Sequence, residues 1–483
     1  MSDSISTTQH DEISVPAAAG DAPVSVLQKA AWGAGGLTDS LIWNTINSLA
    51  LPIYNIALGV SPILIGYAMA IPRILDVIVD PFIGNLSDNT RSRWGRRRPF
   101  IAIGAFVIAL FFVLLWMPPL SLSKNGLFWY FLVFSILAFS GYPLWSVAYS
   151  ALGYELSMDH HERTRVMAWR MYFVSIGSMF VPWLYKLTML PIFGGKEVIG
   201  VRYVGLLVGV LILISGSLSA FFCRERTQSQ SQPKVKVLDG MKMTLTNRPF
   251  LILMGMFFCI QVGLNVAYPF LTYVNIYYVC QGNKAFASML VGASGTIGGI
   301  MLILATPLVT YASAKWGKRD VCFAGIMIAA LGFASNWFLI TPAHPYLQFI
   351  PSLLITPGQT CIWVLVGSML ADTCDVDELR SGLRREGMFG AVFGQMCKAS
   401  IAGVAVLVGY MLKMSGFIDG ASVQPAHTLL YMRVIYIIVP TVFLLIAGAL
   451  TLMYPITSKK ALEVRATLDA RKKDEIQAAQ SLS

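Results

Sequence analysis

Three charged residues stand inside one apolar run, in Arg73-Ile-Leu-Asp76-Val-Ile-Val-Asp80-Pro81. Spaced three and four apart, Arg73, Asp76 and Asp80 leave a helix from one face. A charge near the centre of a membrane-spanning helix costs about 2.5–3.5 kcal/mol even on insertion scales, so these side chains are expected to face an internal, partly hydrated cavity. Two carboxylates sharing one site repel, and such a pair either keeps a proton or takes up a small hard cation. Both are ion-coupling chemistry. Asp76 and Asp80 are therefore the candidate cation ligands, with Arg73 assigned to the neighbouring substrate side. The plainer alternative is an internal ion pair that only fixes helix packing.

Asp39, Arg170 and Lys398 are further charges within apolar runs. A carboxylate accepts paired hydrogen bonds from vicinal sugar hydroxyls, and a guanidinium or ammonium donates others or balances its charge. Structural pairing of Asp39 with a cation is the competing account. Aromatic rings offer an apolar face to the C–H side of a pyranose; Trp145, Tyr149, Trp169, Tyr172 and Trp363 are candidates, although most membrane aromatics face lipid or pack. Two loops carry both signs of charge: Gly84 to Asp88 leads into Trp94-Gly95-Arg96-Arg97-Arg98, and Asp372, Asp375 and Glu378 lead into Arg384 and Arg385. Opposite charges facing across the molecule would close an inward mouth, which makes Asp88, Arg96, Arg97, Asp372, Asp375, Glu378, Arg384 and Arg385 a candidate gate. Solvated loops obeying the positive-inside rule explain the arginines but not the acids.

The elements that must position these groups are spanning helices. Of 483 residues, 56% are hydrophobic and 13% charged, with a mean hydropathy of +0.64, too apolar for a soluble globule of this length. About twelve apolar runs of spanning length, from 28–58 through 428–455, are separated by short polar connections. The expected fold is an all-α polytopic membrane protein of two six-helix repeats. It divides into a disordered cytoplasmic arm (1–26), a first bundle (27–223), a linker (224–246), a second bundle (247–456) and a tail (457–483). The halves echo each other: Trp94-Gly95-Arg96 returns as Trp316-Gly317-Lys318, 222 residues on, and Arg165 corresponds to Arg385, 220 residues on. Basic residues collect in the loops after the even-numbered runs, which places both termini in the cytoplasm and explains the net charge of +11 without nucleic acid. Seven cysteines lack metal or disulfide spacing, and no nucleophile elbow, His-Glu-x-x-His or phosphate loop is present, so neither an enzyme nor a cofactor is expected.

The motif Arg73-x-x-Asp76-x-x-x-Asp80-Pro81, followed by Asp88-Asn-Thr-Arg91-Ser-Arg93-Trp94-Gly95, resembles the glycoside-pentoside-hexuronide:cation symporters of the melibiose permease type. The likeness extends through Glu162-Arg163-Thr164-Arg165 to Ala371-Asp372-x-x-Asp375-x-x-Glu378 and Arg384-Arg385-Glu386-Gly387. It implies a major facilitator fold, a coupling ion (proton or sodium) on Asp76 and Asp80, and a sugar-binding carboxylate at Asp39. Arg170, Lys398, Trp363 and Tyr142 match the family's basic and aromatic positions on helices five, eleven, ten and four. Ser146, Val79 and Pro143 stand where the family pattern has an acid, an asparagine and a threonine, which weakens a full oxygen shell for sodium and argues against a simple melibiose-like substrate. The implied partners are a small sugar or glycoside, a monovalent cation and the lipid bilayer of a bacterial-type inner membrane, with a monomer as the working unit. A carrier of an amphiphile such as a lysolipid, or a sugar sensor that does not transport, are the rival readings.

Overall fold

The computed structural model describes residues 24–90, 92–156, 160–223, 246–382, 385–421 and 423–481. Most of the arm 1–26 and of the linker 224–246, together with Arg384 and the side chain of Asp88, lies outside the described residues.

Among the described residues the chain is wholly helical. The first span is broken into α1 (Val26–Gly33), α2 (Gly35–Ala50) and a π-helical turn (Leu51–Ala57). It is followed by α3 (Pro62–Asn89), α4 (Arg98–Leu115), α5 (Lys124–Glu155), and α6 (His160–Phe180) with its extension through Val181–Trp183 to α7 (Leu184–Thr188), then α8 (Glu197–Phe222). The second half contains α9 (Arg248–Tyr273) ending in a π-helical turn (Val274–Val279), α10 (Lys284–Trp316), α11 (Lys318–Leu339), α12 (Phe349–Ser381), α13 (Glu386–Met414) and α14 (Ala426–Met453). The tail folds as α15 (Ser458–Ser481) and packs on α12.

Local chemistry sets several of these boundaries. The side chains of Ser123, Asn247 and Asn283 accept from the backbone N–H three residues on, capping α5, α9 and α10. Among the described residues, ten helical stretches are long and apolar enough to cross a membrane. The first span and α6 are the two that fall short. They carry Asp39 and Arg170, and polar groups such as Thr38, Ser40 and Asn44 dilute their apolar character.

Each half closes its own helices with a charge clamp between corresponding elements. In the first half Arg96 and Arg97, before α4, reach Glu155 at the end of α5 at 2.8 and 2.7 Å. In the second, Lys318 at the start of α11 reaches Asp372 near the end of α12 at 2.6 Å. Arg385 also pairs with Asp377 at 2.5 Å, a buried contact to which Asn247 adds a hydrogen bond of 3.2 Å.

The halves meet tightly at one end only. Asn55, fully buried in the first π turn, donates to Asp419 (2.7 Å) and accepts from Tyr273 (2.7 Å), so it bridges to two elements of the other half. Lys284 pairs with Glu197 at 2.5 Å, Lys186 donates to the Ala285 carbonyl, and Trp183 donates to Thr296. At the same end α3 and α13 touch backbone to backbone: a Cβ on Gly66 would meet the Ala405 carbonyl oxygen at 2.6 Å, and one on Gly409 the Pro62 carbonyl oxygen at 2.5 Å.

Candidate functional site

The face of α13 that touches α3 at Ala405 and Gly409 continues, by its helical spacing, through Lys398, Gly394 and Gly387. Beside Gly394 and Gly387 there is nothing within 4 Å of where a Cβ would lie. One stripe of one helix is thus in backbone contact at its far end and free of neighbours at the other. The halves therefore splay apart, and the charged residues sit near where they part.

At that level Lys398 of α13 forms an ion pair with Asp80 of α3, a contact that crosses between the halves. Their side chains are 17% and 21% exposed, sheltered but reachable. One turn back along α3, Asp76 is 2% exposed, and its Oδ2, like Oδ1 of Asp80, has no hydrogen-bond partner among the described residues. The sequence assigned Lys398 to the substrate; the structure places it on the second acidic residue of α3 instead. Spacing puts the acids on one face but is silent about a base 318 residues away.

A second centre lies on α2, α5 and α6. Asp39 accepts from the Tyr142 hydroxyl (2.7 Å) on one oxygen and pairs with Arg170 (2.9 Å) on the other. Asp39 and Arg170 side chains are 23% and 34% exposed, and Arg170 Nε has no partner among the described residues. The pairing that competed with a sugar role is present, and the pair is also open enough to exchange its hydrogen bonds for those of a ligand.

The aromatic candidates divide. Tyr149 is sandwiched between Trp32 and Trp145 at centroid separations of 5.0 and 4.5 Å, and its hydroxyl donates to the Trp32 carbonyl. Buried in that stack, Tyr149 and Trp145 hold α5 against α1 and α8 and offer no face to a ligand. Ser146 is half-buried. Trp363 on α12 is 56% exposed and packs nearly at a right angle to Phe257. Tyr172, on the same helix as Arg170, is likewise exposed.

Of the candidate gate, Arg96, Arg97, Asp372 and Arg385 each have a charged partner within their own half. Asp375 and Glu378 are half-buried on α12. Sequence reasoning missed Glu155 as the acceptor of the first clamp, and missed Asn55 and Trp43. Asn55 had a signal, an amide within an apolar run. Arg73 lies with its guanidinium carbon 3.5 Å from the Trp43 ring centroid and 4.0 Å from that of Phe139. Nothing in the spacing announces that contact.

Two helical halves, closed at one end around intramembrane charges, define a transporter of the major facilitator fold rather than an enzyme. A solved D-xylose-proton symporter superposes with a TM-score of 0.63 at 16% identity, covering 87% of this chain and 96% of that one. Residues 31–458 match the family described as MFS/sugar transport protein, and the chain belongs to that family, the melibiose permease-like symporters anticipated from its motifs. Among its relatives are the uncharacterized symporter YnaJ of Bacillus subtilis (strain 168), 27% identical over 93% of this chain and 96% of that one, and a glucuronide carrier protein homolog of Escherichia coli (strain K12), 24% identical over 88% and 91%.

Proposed function

We propose that the protein couples the movement of a sugar or glycoside to that of one proton or sodium ion by alternating access, with both termini and the open end of the bundle in the cytoplasm. The observation that carries this reading is the Lys398–Asp80 pair beside Asp76, whose Oδ2 has no hydrogen-bond partner among the described residues. Asp39, Asp76 and Asp80 are balanced by Arg73, Arg170 and Lys398, so the core is neutral as it stands. Lys398 neutralises Asp80 here; a coupling cation loading between Asp76 and Asp80 takes over that task and frees the ammonium. Because Lys398 belongs to the second half and Asp80 to the first, exchanging one positive charge for another alters the bond between the halves. A dry, closed cavity tolerates bare carboxylates poorly, which makes loading a condition for closure.

Asp39 with Tyr142 and Arg170 supplies hydrogen-bond acceptors and donors for sugar hydroxyls, and the exposed Trp363 ring suits a pyranose. Support also comes from relatives named as a symporter and as a glucuronide carrier homolog. The test is uptake into proteoliposomes of a radiolabelled panel of pentoses, hexoses, hexuronides and glycosides under separately imposed proton and sodium gradients. Accumulation driven by one gradient and lost in Asp80→Asn is expected. Uptake indifferent to both gradients would remove the reading.

A further inference from the structure

We infer that Trp43 and Phe139 are positioning residues for ion coupling: by packing their rings against the Arg73 guanidinium they hold its charge one helical turn from Asp76 and keep it from closing onto that carboxylate. The inference deepens, and rests on, the reading of Asp76 and Asp80 as the cation site.

An arginine and an aspartate three residues apart on a helix are neighbours that ordinarily pair. Arg73 and Asp76 are each 2% exposed, so no solvent screens them, yet no ion pair joins them among the described residues. Arg73 Nη1 and Asp76 Oδ2 both lack a hydrogen-bond partner there. The cation is held instead by ring faces, at 3.5 Å from the Trp43 centroid and 4.0 Å from the Phe139 centroid. Aromatic faces attract a guanidinium through their quadrupoles, most strongly where water is excluded, and here two rings inclined at 63° with centroids 6.1 Å apart hold it in the corner between them. The consequence is an acid with Oδ2 open to an exchangeable ion beside a base that balances charge without a direct ion pair to it. Without the rings the guanidinium is free to swing onto Asp76, and an entering cation must then compete with a tethered charge.

Trp43 has a second contact that places it between the two centres. Its ring meets Tyr142 edge-on at 5.5 Å and 85°, and the Tyr142 hydroxyl is the one that donates to Asp39. The ring that holds Arg73 therefore also packs on the tyrosine that donates to the sugar-side carboxylate.

The experiment compares Trp43→Leu and Phe139→Leu, which keep apolar bulk but remove a ring face, with Trp43→Phe, which keeps one. Full-length variants are reconstituted, and uptake of the panel sugar most strongly accumulated by the wild type is measured against concentration of the ion, proton or sodium, that drives it. Equilibrium exchange of the same sugar at saturating ion checks that each variant is folded and binds sugar. The half-saturating ion concentration is expected to rise about tenfold or more in either leucine variant, and to stay within about twofold of wild type in Trp43→Phe. Equal half-saturation in all three variants overturns the inference, as does a loss that Trp43→Phe shares. If neither ion drives the wild type, the symport reading itself fails, an outcome distinct from an unchanged ion dependence in the variants.

Discussion

Lys398 and Asp80 lie on helices of different halves and form the one charged contact found at the level where those halves separate among the described residues. Around them, contacts toward Gly409 are tight and positions toward Gly387 are open. A pair in that place bears on both ion occupancy and the angle between the bundles. Its exposure of 17% and 21% means that water discounts the full penalty of a buried pair, and that the ammonium can leave.

Replacing Lys398 with Gln should separate those roles. With the internal competitor removed, the apparent affinity for the coupling cation is expected to rise by about tenfold or more, while the coupling of sugar to ion loosens. Asp80→Asn should act in the opposite sense, retaining sugar exchange but losing accumulation. Ion titrations of uptake and the ratio of internal to external sugar at steady state check the two. A Lys398→Gln protein with unchanged ion affinity would mean the ammonium does not occupy the cation's place.

The Asp39 centre gives a graded prediction. Tyr142→Phe removes one hydrogen bond to a carboxylate, worth about 1.5–3 kcal/mol, so sugar affinity should fall by roughly ten- to a hundredfold with the ion dependence preserved. Asp39→Asn removes the charge as well and leaves Arg170 without its counter-ion, so the loss should be larger. Equilibrium binding of the transported sugar to purified protein is the measurement.

The all-helical membrane fold was legible in the sequence because a run of about twenty apolar residues, repeated along the chain, is stable in few settings besides a bilayer. The face shared by Arg73, Asp76 and Asp80 followed from helical geometry alone. Pairings were hidden wherever the partner sits on a distant helix: Lys398 on Asp80, Glu155 beneath Arg96 and Arg97, Trp43 over Arg73. Tyr149 shows the converse difficulty. Tyr142, Trp145 and Tyr149 share one helical face, yet only Tyr142 reaches Asp39, because Trp32 fills the space in front of Tyr149. Which part of an aromatic face meets a chamber is decided by the neighbouring helix, which spacing does not specify.

At the sealed end, Asn55→Ala deletes the bonds to Asp419 and Tyr273 together. Lost buried amide bonds of about 1–3 kcal/mol are enough to shift a two-state equilibrium by roughly 5- to 150-fold. Lys284→Gln should do less, about 1 kcal/mol at most, because its side chain is 31% exposed. Spin labels at Ile56 and Ala421, which line the same cleft at this end, should report a growing long-distance population in Asn55→Ala and a smaller one in Lys284→Gln. The reverse order would place the seal on the ion pair rather than the amide.

The contact stripe of α13 makes the last prediction directional. Gly409→Val pushes a side chain into the Pro62 backbone, where even a Cβ meets the carbonyl oxygen at 2.5 Å and the Ile63 Cα at 2.9 Å. The sealed end cannot then close, and the labels at Ile56 and Ala421 should move apart. Gly394→Val adds the same side chain where nothing lies within 4 Å, so this arrangement of the halves should be undisturbed and the labels should stay close. If the halves rock about the level of Lys398, Gly394 approaches α3 only in the opposite state, which the valine would then obstruct. Both variants are expected to lose uptake, one held open at each end, and a Gly394→Val protein with wild-type uptake would show that α13 and α3 do not close on each other there.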